Sequence, residues 1–243
     1  MSKAKKEESQ VPVNGDNRIT EEINKLEARP VKRSRADHVM ISRPVVREIL
    51  VPIRGFPGIP LVTQKMSQKV LEYIRGKQGG KVQGPRPRKD PTDNYQNAMH
   101  LMPGAKATDT NPDLGFPASG FRRAMIAAAN IKVNGVSKPM AGGNIFVIPD
   151  GGSLVRIRYE NLSMREDALK NESGVMDLRY RPQLLGWSAL VRIQFDEGIV
   201  SPEQVVNLMC RAGFSVGIGE SSPRSQGDWG RWEVVDSPEA VKV

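Results

Sequence analysis

The sequence predicts an α+β fold: a βαββαβ core with an antiparallel sheet. Three observations predict it. The strongest strand alternates Trp187, Ala189, Val191, Ile193 and Phe195 on one side with Ser188, Arg192 and Gln194 on the other, Leu190 being the one exception. The sharpest helix start is Ser201-Pro202-Glu203-Gln204, where serine caps, proline takes the first position and Gln204 completes a capping box. Upstream, a strand at Val45–Ile53 and a long helix at Ala118–Asn130 precede that pair. Strand, helix, strands, helix and strand in this order form the split-βαβ, or ferredoxin-like, plan, with helices on one face of the sheet and the other face free.

Taken in order, residues 1–43 carry Lys3, Lys5, Lys6 and the cluster Lys32-Arg33-Ser34-Arg35 among few aliphatics. Such a segment lacks the apolar material to offset ordering and reads as a disordered basic arm. Residues 44–243 read as a single domain. Its first strand has Val45, Ile49, Val51 and Ile53 two or four apart and ends at a turn, Arg54-Gly55-Phe56-Pro57-Gly58. A long insertion at about 55–117 follows. Within it Ser67–Arg75 places Val70, Leu71 and Ile74 at helical spacing, and Asp93–Leu101 reads as a short helix. Between them, Arg75 to Lys89 has six basic residues, no acidic one and repeated Gly and Pro, the composition of an extended basic loop.

The helix Ala118–Asn130 aligns Phe121, Ala124, Met125, Ala128 and Ala129, with Ser119 as candidate cap. Asn144–Ile148 and Leu154–Arg158, joined by Pro149-Asp150-Gly151-Gly152, predict a hairpin. Met176–Arg181 is expected to pair with the alternating strand as a second one. After Ser201 the helix buries Val205, Leu208 and Met209, with Gly213 placed to end it in left-handed geometry. Next comes a polar loop carrying Gly217, Gly219, Arg224, Gly227 and Gly230, and Arg231–Val235 closes the set as a strand.

Composition narrows the function classes. The 243 residues carry a formal charge of +9, which points to a polyanionic partner, nucleic acid first. A single cysteine, Cys210, excludes an intrachain disulfide, fits a reducing cytoplasm and reads as a small buried hydrophobe. No apolar run approaches membrane-spanning length, and the N-terminus lacks a secretory core. Gly76-Lys77-Gln78-Gly79-Gly80-Lys81 lacks the Lys-Ser/Thr of a phosphate-binding loop. Two histidines and one cysteine, far apart, have no zinc spacing, and Asp93, Asp109 and Asp113 are expected to solvate a loop.

The helix, the loop Gly217-x-Gly219 through Gly227-x-x-Gly230 with Arg224 inside it, and the closing strand resemble the RAMP superfamily of CRISPR-associated RNA-binding proteins. The run Phe116 to Met125 and the phrase Gly217-Ile-Gly-Glu220 followed by Arg224 are similar to a class of bacteriophage proteins. The specific part of the RAMP resemblance covers about the last 60 residues. It implies a single-strand binder of RRM-type architecture that assembles side by side, with the insertion as a thumb. The catalytic histidine of RAMP endoribonucleases has no counterpart near the loop, since His38 lies in the arm and His100 in the insertion.

The resulting expectation is a non-catalytic protein of the bacterial cytoplasm that binds single-stranded RNA or DNA as a homo-oligomer or filament, with no membrane and no cofactor. Its contacts are expected from Arg54, from Arg75, Lys77, Lys81, Arg86, Arg88 and Lys89 of the insertion, and from Arg122 and Arg123 of the long helix. At the loop they are Gly217, Gly219, Arg224, Trp229 and Arg231; the glycines serve equally as tight turns. Of the three tryptophans, Trp187 is assigned to the core, and one of Trp229 and Trp232 to the core with the other left to stack on a base. The alternatives are a virion or scaffold protein, and a metal-independent endoribonuclease using His100.

Overall fold

The computed structural model describes residues 43–66, 68–80, 90–129, 135–170, 174 and 176–237. The chain divides at Arg43/Pro44 into two compact units, and the described fold belongs to the second. The basic arm and Lys81, Arg86, Arg88 and Lys89 lie outside the described residues.

In chain order the elements are β1 (Val46–Gly55), β2 (Leu61–Val62), α1 (Gln68–Gln78), α2 (Pro91–Asn97), β3 (Leu114–Pro117), α3 (Ala118–Ala128) and α4 (Lys138–Asn144). They continue with β4 (Ile145–Ile148), β5 (Leu154–Ile157), β6 (Asn161–Lys170), β7 (Met176–Leu185), β8 (Ser188–Asp196), α5 (Pro202–Ser215) and β9 (Trp232–Val234). The class is α+β with antiparallel sheets. The main sheet has the order β4-β8-β1-β9, and every neighbouring pair is antiparallel. β1 and β4 are therefore parallel, joined through α3, and split by β8. β8 and β9 are likewise parallel, joined through α5, and split by β1.

One face of this sheet is the core. Val51, Ile53, Ala189, Val191, Ile193, Phe195, Ile145 and Val147 point into it, with Phe121, Ala124, Met125 and Ala128 of α3 and Val205, Leu208, Met209 and Ala212 of α5 laid over them. Phe116, Phe121 and Trp232 meet edge-on in a row, with centroids 5.7 and 5.8 Å apart, the geometry aromatic pairs favour. Trp187 and Trp232 are fully buried, as expected of the former.

Several local expectations hold. α5 has its capping box: Ser201 Oγ accepts from the Gln204 amide at 3.3 Å and the Ser201 amide donates to Gln204 Oε1 at 2.9 Å. The short helix expected at Asp93–Leu101 forms earlier in the chain, as α2, because Asp90 caps it and accepts from Thr92 N at 2.9 Å.

Others are corrected. The turn at Asp150–Leu154 forms, but its two strands diverge: β4 pairs with β8, and β5 pairs with β3. β7 does not pair with β8; it pairs over ten positions with β6, in a stretch whose charged alternation hides a strand. Ser119 caps nothing; Pro117 precedes α3, and the Ala118 amide donates to Ser153 O at 2.9 Å. Gly213 sits inside α5, where its missing side chain makes room for Trp232; the left-handed residue past the helix is Gly217, with φ +66°. Cys210 is exposed, because the buried face of α5 passes through Leu208, Met209 and Ala212.

A second insertion, between β4 and β8, carries β5, β6 and β7. Each insertion completes the other: β2 from the first pairs with β7, and β3 from the first pairs with β5. The segment after β1 is thus partly built into the domain through β2 and β3.

Candidate nucleic-acid interface

Three regions carry the expected contacts: the open face of the main sheet, the end of α1, and the glycine loop. On the open face, alternate residues of β1, β8 and β4 point away from the helices. The register sets Leu50 against Arg192, Glu48 against Gln194, and Phe146 against Gln194. Leu50 and Phe146 are exposed, 53% and 43%, and Gln194 donates to Glu48 at 3.1 Å. Arg192 is exposed with no partner among the described residues. Arg54 lies at the far end of β1, opposite Glu233, and pairs with it at 2.8 Å. It is committed within the sheet more than the sequence implies.

At the end of α1, Arg75 and Lys77 occupy the last turn and are exposed, with no ion pair among the described residues. Cations there complement the helix dipole and begin the basic run that continues to Lys89.

The arginines of α3 divide. Arg122 donates through Nε to Ile145 O at 3.0 Å and through Nη2 to Gly142 O, and lies over the Phe146 ring at 4.8 Å. It therefore ties α3 to the α4–β4 junction. Arg123 is exposed and, among the described residues, reaches only Ser119 Oγ, at 3.4 Å.

The glycine loop is wound tightly on the fold. Gly217, Gly219 and Gly230 have φ of +66°, +78° and +62°. A Cβ at Gly219 would stand 2.5 Å from Val62 O, and one at Gly230 would overlap Ile218 O, so backbone packs on backbone here. The loop amides are largely used. Gly217 N donates to Ala212 O, Ile218 N to Gly230 O, Glu220 N to Val62 O, Arg224 N to Val216 O, and Gly230 N to Pro60 O. These amides hold the loop to α5 and β2, which favours the turn role of Gly217 and Gly219 over a phosphate cradle. Arg224 projects from a short 3₁₀ turn, exposed and without a side-chain partner among the described residues.

Two arginine sites flank this loop, and the sequence pattern marks only part of each. On the hairpin side, Arg181 of β7 is 2% exposed and bridges Asp167 at 2.9 Å and Glu220 at 2.7 Å. Arg165 binds both Asp167 oxygens at 3.0 Å, reaches Gln183 at 3.2 Å, and lies over the Trp229 ring at 4.3 Å. Trp229 is thus partly buried, with a protein cation on it. The legible signal is the spacing Arg165-x-Asp167 and Arg179-x-Arg181, which strand alternation puts on one face.

On the α5 side, Arg231 has its guanidinium 5.0 Å from the Phe56 ring and 4.8 Å from the Phe214 ring. Its Nε is buried without a partner, and the side chain has no ion pair among the described residues. Phe214 is 59% exposed. Nothing in the sequence context of either phenylalanine singles it out.

The catalytic alternatives find little chemistry. His100 packs edge-on to Phe116 at 6.2 Å, and burial, reinforced by Lys65, lowers its pKa below the ordinary histidine value. Although Cys210 is exposed as a residue, partial desolvation of its thiol pushes the pKa up, away from thiolate chemistry. Asp93 accepts from Asn97 Nδ2 at 3.0 Å, Asp109 accepts from Lys106 N at 3.0 Å and Asp113 pairs with Arg156 at 3.1 Å, so each of these carboxylates serves the local structure. Among the described residues no group of histidine, cysteine and carboxylate side chains could hold a metal, and no helix is long and apolar enough to cross a membrane.

No protein-family model matches this sequence, and no curated protein is significantly similar to it.

Proposed function

We propose that this chain is a non-catalytic, single-stranded nucleic-acid-binding protein of RAMP-like type, acting in the bacterial cytoplasm and assembling side by side on the strand. One observation carries the reading. Arg75, Lys77, Lys81, Arg86, Arg88 and Lys89 follow one another with no acidic residue between them, and the first two stand exposed on α1 without an ion pair among the described residues. Six cations in fifteen residues release condensed counterions when they meet a phosphate chain. The helix-free face of the sheet supports the reading, since it offers exposed Leu50 directly across from exposed Arg192, with exposed Phe146 across from Gln194 on the next strand.

The test is an electrophoretic shift at low salt with single-stranded RNA, single-stranded DNA and duplex of the same length. The expected result is retention of one or both single strands, and its weakening when the six cations are replaced by glutamine. Failure of the full-length protein to retain either single strand defeats the reading; equal retention by the six-fold variant removes the basic run from it.

A further inference from the structure

We infer that Phe56, Arg231 and Phe214 form a nucleotide subsite, with Phe214 as the platform for one unstacked base and Arg231 as the anchor of its phosphate. This rests on the reading proposed above and adds a location to it.

The arrangement is unusual for a folded protein's own needs. An arginine that serves the fold finds carboxylates or carbonyls, as Arg181 and Arg122 do. Arg231 has none among the described residues; two aromatic faces hold it. Ring faces orient a guanidinium without neutralising it, so its positive edge stays available to an anion. Nε is shut away from solvent without a partner, and the residue as a whole is half-buried. The fork is therefore fixed in direction by its surroundings, with no counter-charge on it among the described residues.

Phe214 is the most exposed large hydrophobic side chain among the described residues. It stands in the last turn of α5 with Arg231 against its ring, leaving most of the side chain bare. Arg211, one turn earlier on α5, is also exposed and has no partner among the described residues. A bare aromatic ring beside two cations without counter-charges matches one nucleotide: a π-face to stack, and an anionic phosphate next to it. The platform is rigid, because the Phe56 amide donates to Arg231 O at 3.3 Å and Gly213 packs directly on Trp232. Stacking reads any base, so the subsite adds affinity without sequence preference.

The experiment compares wild type with Phe214→Ala and Phe214→Tyr, by fluorescence anisotropy with a labelled single-stranded oligonucleotide across a salt series. A matched oligonucleotide with abasic sites is the second probe. Phe214→Ala is expected to weaken binding at least about fivefold with the salt slope unchanged, since stacking releases no counterions. Phe214→Tyr restores affinity, and the abasic probe binds wild type and Phe214→Ala alike. Cys210, the one cysteine of the chain and exposed one turn before Phe214, gives an independent readout: bound oligonucleotide slows its alkylation. If wild type binds while Phe214→Ala keeps full affinity, the subsite is overturned and the binding function stands. The subsite is likewise overturned if Phe214→Ala loses only self-association in sedimentation, which assigns the ring to a protein partner. If wild type binds neither RNA nor DNA, both proposals fall.

Discussion

The two arginine sites flanking the glycine loop use one residue type in opposite ways. Arg181 is buried between Asp167 and Glu220, with Arg165 completing two ion pairs on Asp167. Among the described residues the Arg231 guanidinium meets only the rings of Phe56 and Phe214. The first site is electrically closed: two cations and two carboxylates cancel, and Glu220 pins the loop to the β6–β7 hairpin. The second keeps its charge. Burial with matched counter-charges marks an arginine that holds the fold, and an aromatic clamp without them marks one left for a ligand.

The comparison breaks most visibly at Arg181. Arg181→Met strands Asp167 and Glu220 beside an apolar side chain, and about 3–5 kcal/mol of unfolding free energy should be lost in chemical denaturation. Arg231→Met removes ring contacts only, and should cost about 0.5–2 kcal/mol in the same measurement while weakening oligonucleotide binding. If the two losses are equal, the contrast between a structural and an available arginine is gone. A smaller effect, on Ser201→Ala, sets the scale for α5, the helix that carries Phe214: loss of its cap should cost about 1 kcal/mol. His100 gives a pH effect. Its folded-state pKa is lowered, so its neutral form is favoured in the native protein. The unfolded chain then binds the extra proton, and stability is full above pH of about 6.5 and is lost as pH falls through the folded-state value. Urea titrations between pH 7 and 5 should show this decline, and His100→Phe should flatten it. The smallest expected effect is Phe214→Ala on stability, within about 0.5 kcal/mol, because the ring is already exposed.

Much of the fold was legible because its signals are local. The alternation from Trp187 to Phe195, the capping box at Ser201 and the apolar face from Phe121 to Ala129 each need only a few residues, and each is present. Pairing was less legible. The turn at Asp150–Leu154 is a genuine local signal, yet β4 and β5 leave it for distant partners in β8 and β3. β6 escaped because Arg165 and Asp167 occupy positions where an ordinary half-buried strand shows apolar side chains; they are inward-facing here because each meets an opposite charge. The site was legible as composition and not as geometry. Gly217, Gly219, Gly227 and Gly230 correctly mark a loop that turns closely on itself, but its amides are spent on α5 and β2. Arg231 was marked by its neighbourhood, while Phe56 and Phe214, far apart in sequence, are joined only by the folded chain.

The most direct measurement is the affinity of the full-length protein for a single-stranded oligonucleotide as a function of salt. Each phosphate met by a lysine or arginine contributes a slope of about −0.7 in log K against log salt. Contact by all six cations from Arg75 to Lys89 therefore contributes a slope of about −4, and the six-fold glutamine variant should lose that share. Absence of binding at about 50 mM salt, or binding whose affinity is indifferent to salt, would contradict the account.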